Sequence, residues 1–219
     1  MEDSLQEAKQ FWRVAADFPP NKEDVYPAHK LAQEFDKIKG KRVLEYGCGG
    51  GSDAMSYLRR GNAVWAADIV PGNVDMTIER ARQSNLSKTL TPVRLEQSAP
   101  LPLPSEFFNV VSSHGVVHHI QDPTPVVQEF FRVLAPGGLL YVMLYSEALY
   151  ERVRMRTEEL MGEGDPQWRA FGRAVEGCPY ARSYTVEEGW DLLTAAGFEP
   201  INTFEYENSE FRTFRAKRA

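Results

Sequence analysis

Residues 42–51 read RVLEYGCGGG, a short apolar run that passes directly into four glycines within five positions. A run of that length and composition fits a buried strand, and glycines straight after it let the backbone turn sharply and come close to a ligand. Beyond them Ala54, Met55 and Leu58 fall on one face of a helix. The free amides and positive dipole end of such a helix would face an anionic or polar group held by the turn. The stretch therefore predicts strand, ligand-contacting turn and helix.

Working outward, Ala63–Ala67 reads as a second strand, followed by a helix opening near Pro71 with Val74, Ile78 and Ala81 at helical spacing. Pro92–Leu95 and Phe108–Ser113 are expected strands on either side of the proline-rich loop Ala99–Pro104. A helix over Pro123–Leu134, with Val126, Phe130 and Val133 on one face, leads into Pro136-Gly137-Gly138. That triplet is expected to turn the chain into a fifth strand, Leu139–Tyr145. Val186–Ala196 reads as a helix ended by Gly197, and Ile201–Tyr206 with Phe211–Ala216 as a closing antiparallel pair. The basic residues Arg212, Arg215, Lys217 and Arg218 are expected to protect a solvated edge strand. Strands alternating with helices specify a parallel sheet covered on both faces.

A length of 219 residues suits one domain with a full core. With 25 Lys plus Arg against 31 Asp plus Glu the net charge is -6, so no overall positive field is available to hold a phosphate backbone, and no nucleic-acid partner is expected. The two cysteines, Cys48 and Cys178, suit a reducing compartment, since the first lies in the glycine run where a disulfide is awkward. The acidic and polar start, Met1–Gln10, is unlike a signal peptide. Apolar runs such as Leu139–Tyr145 are far shorter than the roughly 20 residues that cross a bilayer. A cytoplasmic protein that does not span a membrane is the expectation.

Asp68 closes the second strand 17 residues after Gly51, where a carboxylate reaches the hydroxyls of a ribose. A nicotinamide fingerprint would need glycines at 47, 49 and 52, and position 52 is Ser52. The spacing here is Gly-x-Gly-x-Gly. With Glu45 ahead of Gly47, Gly49 and Gly51, the sequence resembles the class I S-adenosylmethionine-dependent methyltransferases, in particular the group called type 11. The resemblance continues through Asp68, Leu101-Pro102, Phe108–Asp122 and Arg132–Gly138, covering about residues 41–145.

That resemblance implies a Rossmann-like, doubly wound, mostly parallel seven-stranded α/β sheet with an antiparallel C-terminal strand and a helical cap. The expected single domain divides into an N-terminal cap (1–40, with helices near 4–16 and 28–38), a cofactor-binding core (41–145), a helical insertion or lid (146–184, with helices near 150–161 and 166–175) and a C-terminal helix with closing strands (185–219). The resemblance further implies S-adenosyl-L-methionine as cofactor. Glu45 and the loop Tyr46, Gly47, Cys48, Gly49 and Gly51 would surround its methionine part, Asp68 its ribose, and Ile69 an adenine face. Gln97 stands where the family has an acid at the adenine amino group, with Ser98 beside it. Asn109 and Gln121 are further departures from the family pattern.

The expected reaction moves a methyl group to an oxygen, nitrogen or carbon of a small-molecule acceptor. The alternatives are a tRNA or protein methyltransferase and a non-catalytic cofactor-binding regulator. Among His114, His118 and His119, the last two are expected to hold their turn by hydrogen bonds. His114, at the tip of the fourth strand, is the candidate to face the cofactor and act in catalysis, although aligned displacement at a sulfonium can proceed without a base. No metal ligands are expected. Aromatic residues outside the core (Phe11, Trp12, Phe18, Tyr26, Tyr150, Trp168, Phe171, Tyr180 and Tyr184) are candidates to line an acceptor pocket under the cap.

Overall fold

The computed structural model describes residues 6–7, 9–12, 27–160, 177–178, 180–206 and 209–219. Residues 6, 7 and 9–12 are helical. The expected helix near 166–175, and with it Phe18, Tyr26, Trp168 and Phe171, lies outside the described residues.

Helix α1 (Pro27–Ala32) precedes β1 (Arg42–Tyr46), α2 (Ser52–Arg59), β2 (Ala63–Asp68), α3 (Pro71–Gln83) and β3 (Leu90–Arg94). Then come β4 (Phe108–His114), α4 (Thr124–Val133), β5 (Leu134–Tyr145), α5 (Glu147–Leu160), α6 (Val186–Ala195), β6 (Phe198–Glu205) and β7 (Phe211–Arg218). The seven strands form one sheet in the order β3-β2-β1-β4-β5-β7-β6. Strands β1 to β5 run parallel, and β7 is antiparallel to both β5 and β6.

Both faces of the sheet are covered, which is why β1 is buried from Val43 to Tyr46 instead of alternating. One face packs Leu44, Tyr46, Phe108 and Leu140 against Phe130 of α4 and Leu193 of α6. The other packs Val43, Val64 and Ala66 against Met55, Tyr57 and Leu58 of α2 and Val74 of α3. The chain winds outward from β1 to β3 and then returns to lay β4 on the opposite side of β1. Sheets of this kind bind ligands at that reversal, outside the carboxyl ends of the strands.

Several expectations shift. The helix expected over 28–38 stops at Ala32, because Glu34 takes a left-handed conformation (φ 49°) and a short 3-10 turn, Phe35–Lys37, follows. Glu34 is drawn there by partners distant in sequence: its carboxylate accepts from the Tyr141 hydroxyl at 2.9 Å and pairs with Arg215 at 3.3 Å. The triplet at 136–138 does not separate helix from strand but lies within β5, where pairing with β4 jumps from Phe108↔Leu134 to Val110↔Leu139. The third strand begins at Leu90, two residues before the expected Pro92.

The C-terminal basic run is not on an edge. Strand β7 is inserted between β5 and β6, and its cations meet acids from neighbouring elements: Arg212 pairs with Glu147 and Glu205, Arg215 with Glu34, Lys217 with Glu199 and Arg218 with Glu106. Tyr184, a candidate pocket residue, instead belongs to the core at 1% exposure, its amide donating to the Tyr145 carbonyl.

Candidate active site

At the end of β1 the amides of Gly47 and Cys48 both donate to the Ala67 carbonyl, so the glycine loop is fastened to β2 before α2 begins. Gly47, Gly49 and Gly51 all have positive φ, at 76°, 50° and 82°. Two of them also lack room: a Cβ at Gly47 would collide with Val116, and one at Gly51 would lie 2.6 Å from Thr77 Oγ1. Gly49 differs, because a Cβ there meets nothing within 4 Å. The middle of the loop thus offers open backbone while its ends are clamped.

Asp68 organises this loop. Its carboxylate accepts from the Gly49 amide at 2.9 Å and from the Val70 amide at 2.8 Å, joining the loop to the start of α3. Burial pushes its carboxyl pKa up, against the backbone amides that favour the ionised form. Cys48 is buried beside it, its Sγ 3.7 Å from Thr77 Oγ1, and burial followed by the Asp68 charge holds the thiol well above its ordinary range. Cys48 is therefore a packing residue in the loop rather than a nucleophile.

The other expected cofactor residues lie at or just past the carboxyl ends of β1, β2 and β3. Ile69 follows Asp68 directly and packs on the core, and Tyr46 donates its hydroxyl to the Ser98 carbonyl at 3.1 Å, tying β1 to the segment after β3. Gln97 is exposed beside Ser98, and Lys9 of the N-terminal helical segment donates to the neighbouring Glu96 carbonyl at 2.8 Å. Glu45 is buried on the α2 side, where burial first and then the Glu45 charge hold the Tyr57 hydroxyl well above its usual range. Asn109, where the family pattern has an acid, accepts from the Arg42 amide at 3.0 Å and so fixes the start of β1.

His114 lies across the loop from Asp68, in a polar group that the sequence did not reveal. Buried His29 of α1 places its Nε2 2.9 Å from Oδ1 of Asp53, in the first turn of α2, with side-chain exposures of 1% and 2%. The rings of His29 and His114 stand 4.0 Å apart, edge to face. Tyr206, just past β6, brings its hydroxyl within 3.3 Å of His29 Nδ1 and 3.5 Å of His114 Nε2. The only hint in the chain was Asp53 itself, an acid next to a serine where the apolar face of α2 starts.

His119 does not hold its turn by hydrogen bonds as expected, whereas His118 makes a polar contact with the Met143 backbone of β5. His118 stacks on Tyr145 with ring centroids 3.6 Å apart, and His119 meets Trp12 and Tyr145 edge-on at 4.6 and 5.2 Å. Neither ring nitrogen of His119 has a hydrogen-bond partner among the described residues. Burial lowers its pKa to about 3 and holds His118 well below the usual imidazole range. For His119 the ring supplies aromatic packing alone, while His118 adds a polar contact with the Met143 backbone to its stacking.

The seven-stranded order, the clamped glycine loop and the acid at the end of β2 are those of the class I S-adenosylmethionine-dependent methyltransferases, and the sequence matches support that class. Residues 44–142 match the family described as "Methyltransferase domain". Over 185 residues, which are 81% of this chain and 70% of the relative, the sequence is 28% identical to the ubiquinone biosynthesis O-methyltransferase of Cereibacter sphaeroides. In fold it is similar to a SAM-dependent methyltransferase from Aquifex aeolicus, with TM-score 0.68 and 19% identity over 92% of this chain and 94% of the other. It is also similar to the [4+2]-cyclase SpnF, with TM-score 0.64 and 18% identity over 86% and 80%. The fold alone therefore does not fix the reaction. Among the described residues no helix is long and apolar enough to cross a membrane.

Proposed function

We propose that this enzyme transfers a methyl group from S-adenosylmethionine to a hydroxyl of a small-molecule acceptor. The observation that carries the reading is the pairing of an open glycine loop, bounded by Asp68, with a buried imidazole and carboxylate group at the neighbouring strand tip. The likeness to an O-methyltransferase over most of the chain supports oxygen as the methylated atom, and the net charge of -6 supports a small acceptor over a nucleic acid.

In this reading Glu45 and the loop Tyr46–Gly51 hold the methionine part of the cofactor. Asp68 holds the ribose, Ile69 the adenine face, and Gln97 and Ser98 the adenine edge. Gly49 fits such a role because its Cα faces open space, and Asp68 because its carboxylate borders the same loop. The cofactor supplies an electrophilic methyl on a sulfonium. The chain's own residues align the acceptor with it and exclude water, and alignment alone can lower such a barrier greatly. The N-terminal segment, which reaches the segment after β3 through Lys9 and the β4 turn through Trp12, forms part of the cover over the acceptor.

Calorimetry with S-adenosylhomocysteine and with NAD tests the cofactor, and a panel of phenols and aliphatic alcohols with labelled methyl donor tests the acceptor. Binding of S-adenosylhomocysteine and label in an ether are expected. Affinity for NAD alone, or label recovered only in tRNA or protein, would overturn the reading.

A further inference from the structure

Buried polar side chains in a sheet of this kind are costly unless they are hydrogen-bonded, and the contacts around His114 can be ordered in one direction. Asp53, at 2% exposure, is buried as an acceptor, so His29 Nε2 at 2.9 Å carries the proton and donates to it. In the neutral imidazole Nδ1 is then an acceptor, placed to receive the Tyr206 hydroxyl proton at 3.3 Å. The Tyr206 oxygen is left as an acceptor toward His114 Nε2 at 3.5 Å. Read in order, Asp53, His29, Tyr206 and His114 form one directed chain. It runs from the start of α2, through α1 and the end of β6, to the tip of β4. His29 and Asp53 are buried while His114 is half-buried, so the chain ends where an acceptor has access.

We propose that Asp53, His29 and Tyr206 are positioning residues that hold His114 as the general base for the acceptor hydroxyl. The inference rests on the O-methyl transfer reading above. As the acceptor oxygen bonds to the methyl carbon, the carbon–sulfur electron pair leaves with sulfur and the hydroxyl proton passes to His114. The imidazolium so formed is stabilised through Tyr206 and His29 by the Asp53 carboxylate, which stays ionised. A carboxylate that orients and charges a histidine from one side is the logic of a catalytic triad, here lengthened by a phenol.

Other groups facing this chain act in opposite senses. Arg215 of β7 opposes the negative charge near Tyr206, Thr213 Oγ1 of β7 lies 3.5 Å from the Tyr206 hydroxyl, and His118 on the turn after β4 stays neutral. Asp53 is thus the charge through which the relay acts on His114, with Arg215 as the counterweight.

The test uses the full chain saturated with S-adenosylhomocysteine, with the His114 ring followed by nitrogen-15 NMR through a pH titration. Asp53→Asn is expected to lower the His114 pKa by about one unit, as loss of a nearby opposite charge does. Tyr206→Phe, which removes a single oxygen and leaves the carboxylate in place, is expected to lower it by a measurable part of that. If Asp53→Asn does not fold, Tyr206→Phe and His29→Gln carry the test. In turnover, His114→Gln is expected to reduce kcat by about 100-fold with KM for the methyl donor changed less than threefold, and the acid limb of the kcat profile should follow the NMR midpoint. A His114 midpoint that is the same in wild type and Tyr206→Phe would overturn the relay, as would a midpoint that moves with EDTA and not with Asp53→Asn, since His29, Asp53 and His114, with ligand atoms within 4.8 Å of one another, would then be holding a metal ion. Loss of S-adenosylhomocysteine binding by the wild type would instead remove the methyltransferase reading itself.

Discussion

The Asp68 carboxylate sets the shape of the cofactor loop through two backbone amides, and this makes it sensitive to the mildest substitution. Asn in its place would turn one acceptor oxygen into an NH2 donor facing either the Gly49 or the Val70 amide. Asp68→Asn should therefore weaken S-adenosylhomocysteine binding by about tenfold or more, since a charge-assisted hydrogen bond is worth roughly 1.5 to 3 kcal/mol; unchanged affinity by calorimetry would refute that role. Gly51→Ala should also fail, for steric and conformational reasons together: φ is 82° and Thr77 Oγ1 stands 2.6 Å from the new methyl. A loss of about 1 to 3 kcal/mol in urea unfolding is expected. Both residues were legible in the sequence because they lie in a local strand–turn–helix pattern. His29, Asp53 and Tyr206 were not, because no spacing rule links positions 29, 53, 114 and 206. They meet only when α1 crosses α2 and the β6–β7 hairpin returns to the carboxyl edge of the sheet.

Helix α6 is begun by a full capping box: Thr185 Oγ1 accepts from the Glu188 amide at 3.0 Å, and Glu188 Oε2 accepts from the Thr185 amide at 2.8 Å. Thr185→Ala should lower stability by about 1 kcal/mol, read as a shift in denaturation midpoint with an unchanged m-value, because the Glu188 amide loses its acceptor while the Glu188 carboxylate keeps the backbone amide of residue 185. The strands of the core were legible for a simple reason. A parallel strand covered on both faces is a near-continuous apolar run, as in Leu139–Tyr145 and, save for Glu45, in Val43–Tyr46. Element ends governed by distant partners were not legible. Glu34 ends α1 through Tyr141 and Arg215, and the cations of β7 resembled an exposed edge because each one's acid lies on another element. A charged strand read in isolation cannot be told from a strand whose charges are paired inside the sheet.

For the molecule as a whole, the buried imidazoles of His118 and His119 set how the fold responds to acid. His119 has a pKa near 3 from burial, and His118 is held well below its ordinary value by burial and by the neighbouring His119 and His114. In the unfolded chain both titrate near 6.5. From about pH 6.5 downward the unfolded state takes up protons that the folded state refuses, so stability is full above that value. It falls as the pH drops, by up to about 1.4 kcal/mol per unit for each such histidine, until the folded pKa is reached. His119→Phe keeps an aromatic ring against Trp12 and Tyr145 and removes the titration. Its unfolding free energy, measured in urea between pH 7 and 4.5, should decline less steeply than that of the wild type. Deleting residues 1–26, which takes away Trp12 but spares α1, should act on the same slope by a different route. His119 becomes more exposed, its pKa rises toward the ordinary value, and the acid sensitivity lessens although the ring is still present. The same deletion should leave cofactor affinity within about tenfold, because the glycine loop and Asp68 are intact. It should reduce methyl transfer by orders of magnitude if the N-terminal segment covers the acceptor. An acid slope and a turnover both unchanged by the deletion would show that residues 1–26 neither shield the β4 turn nor take part in closing the site.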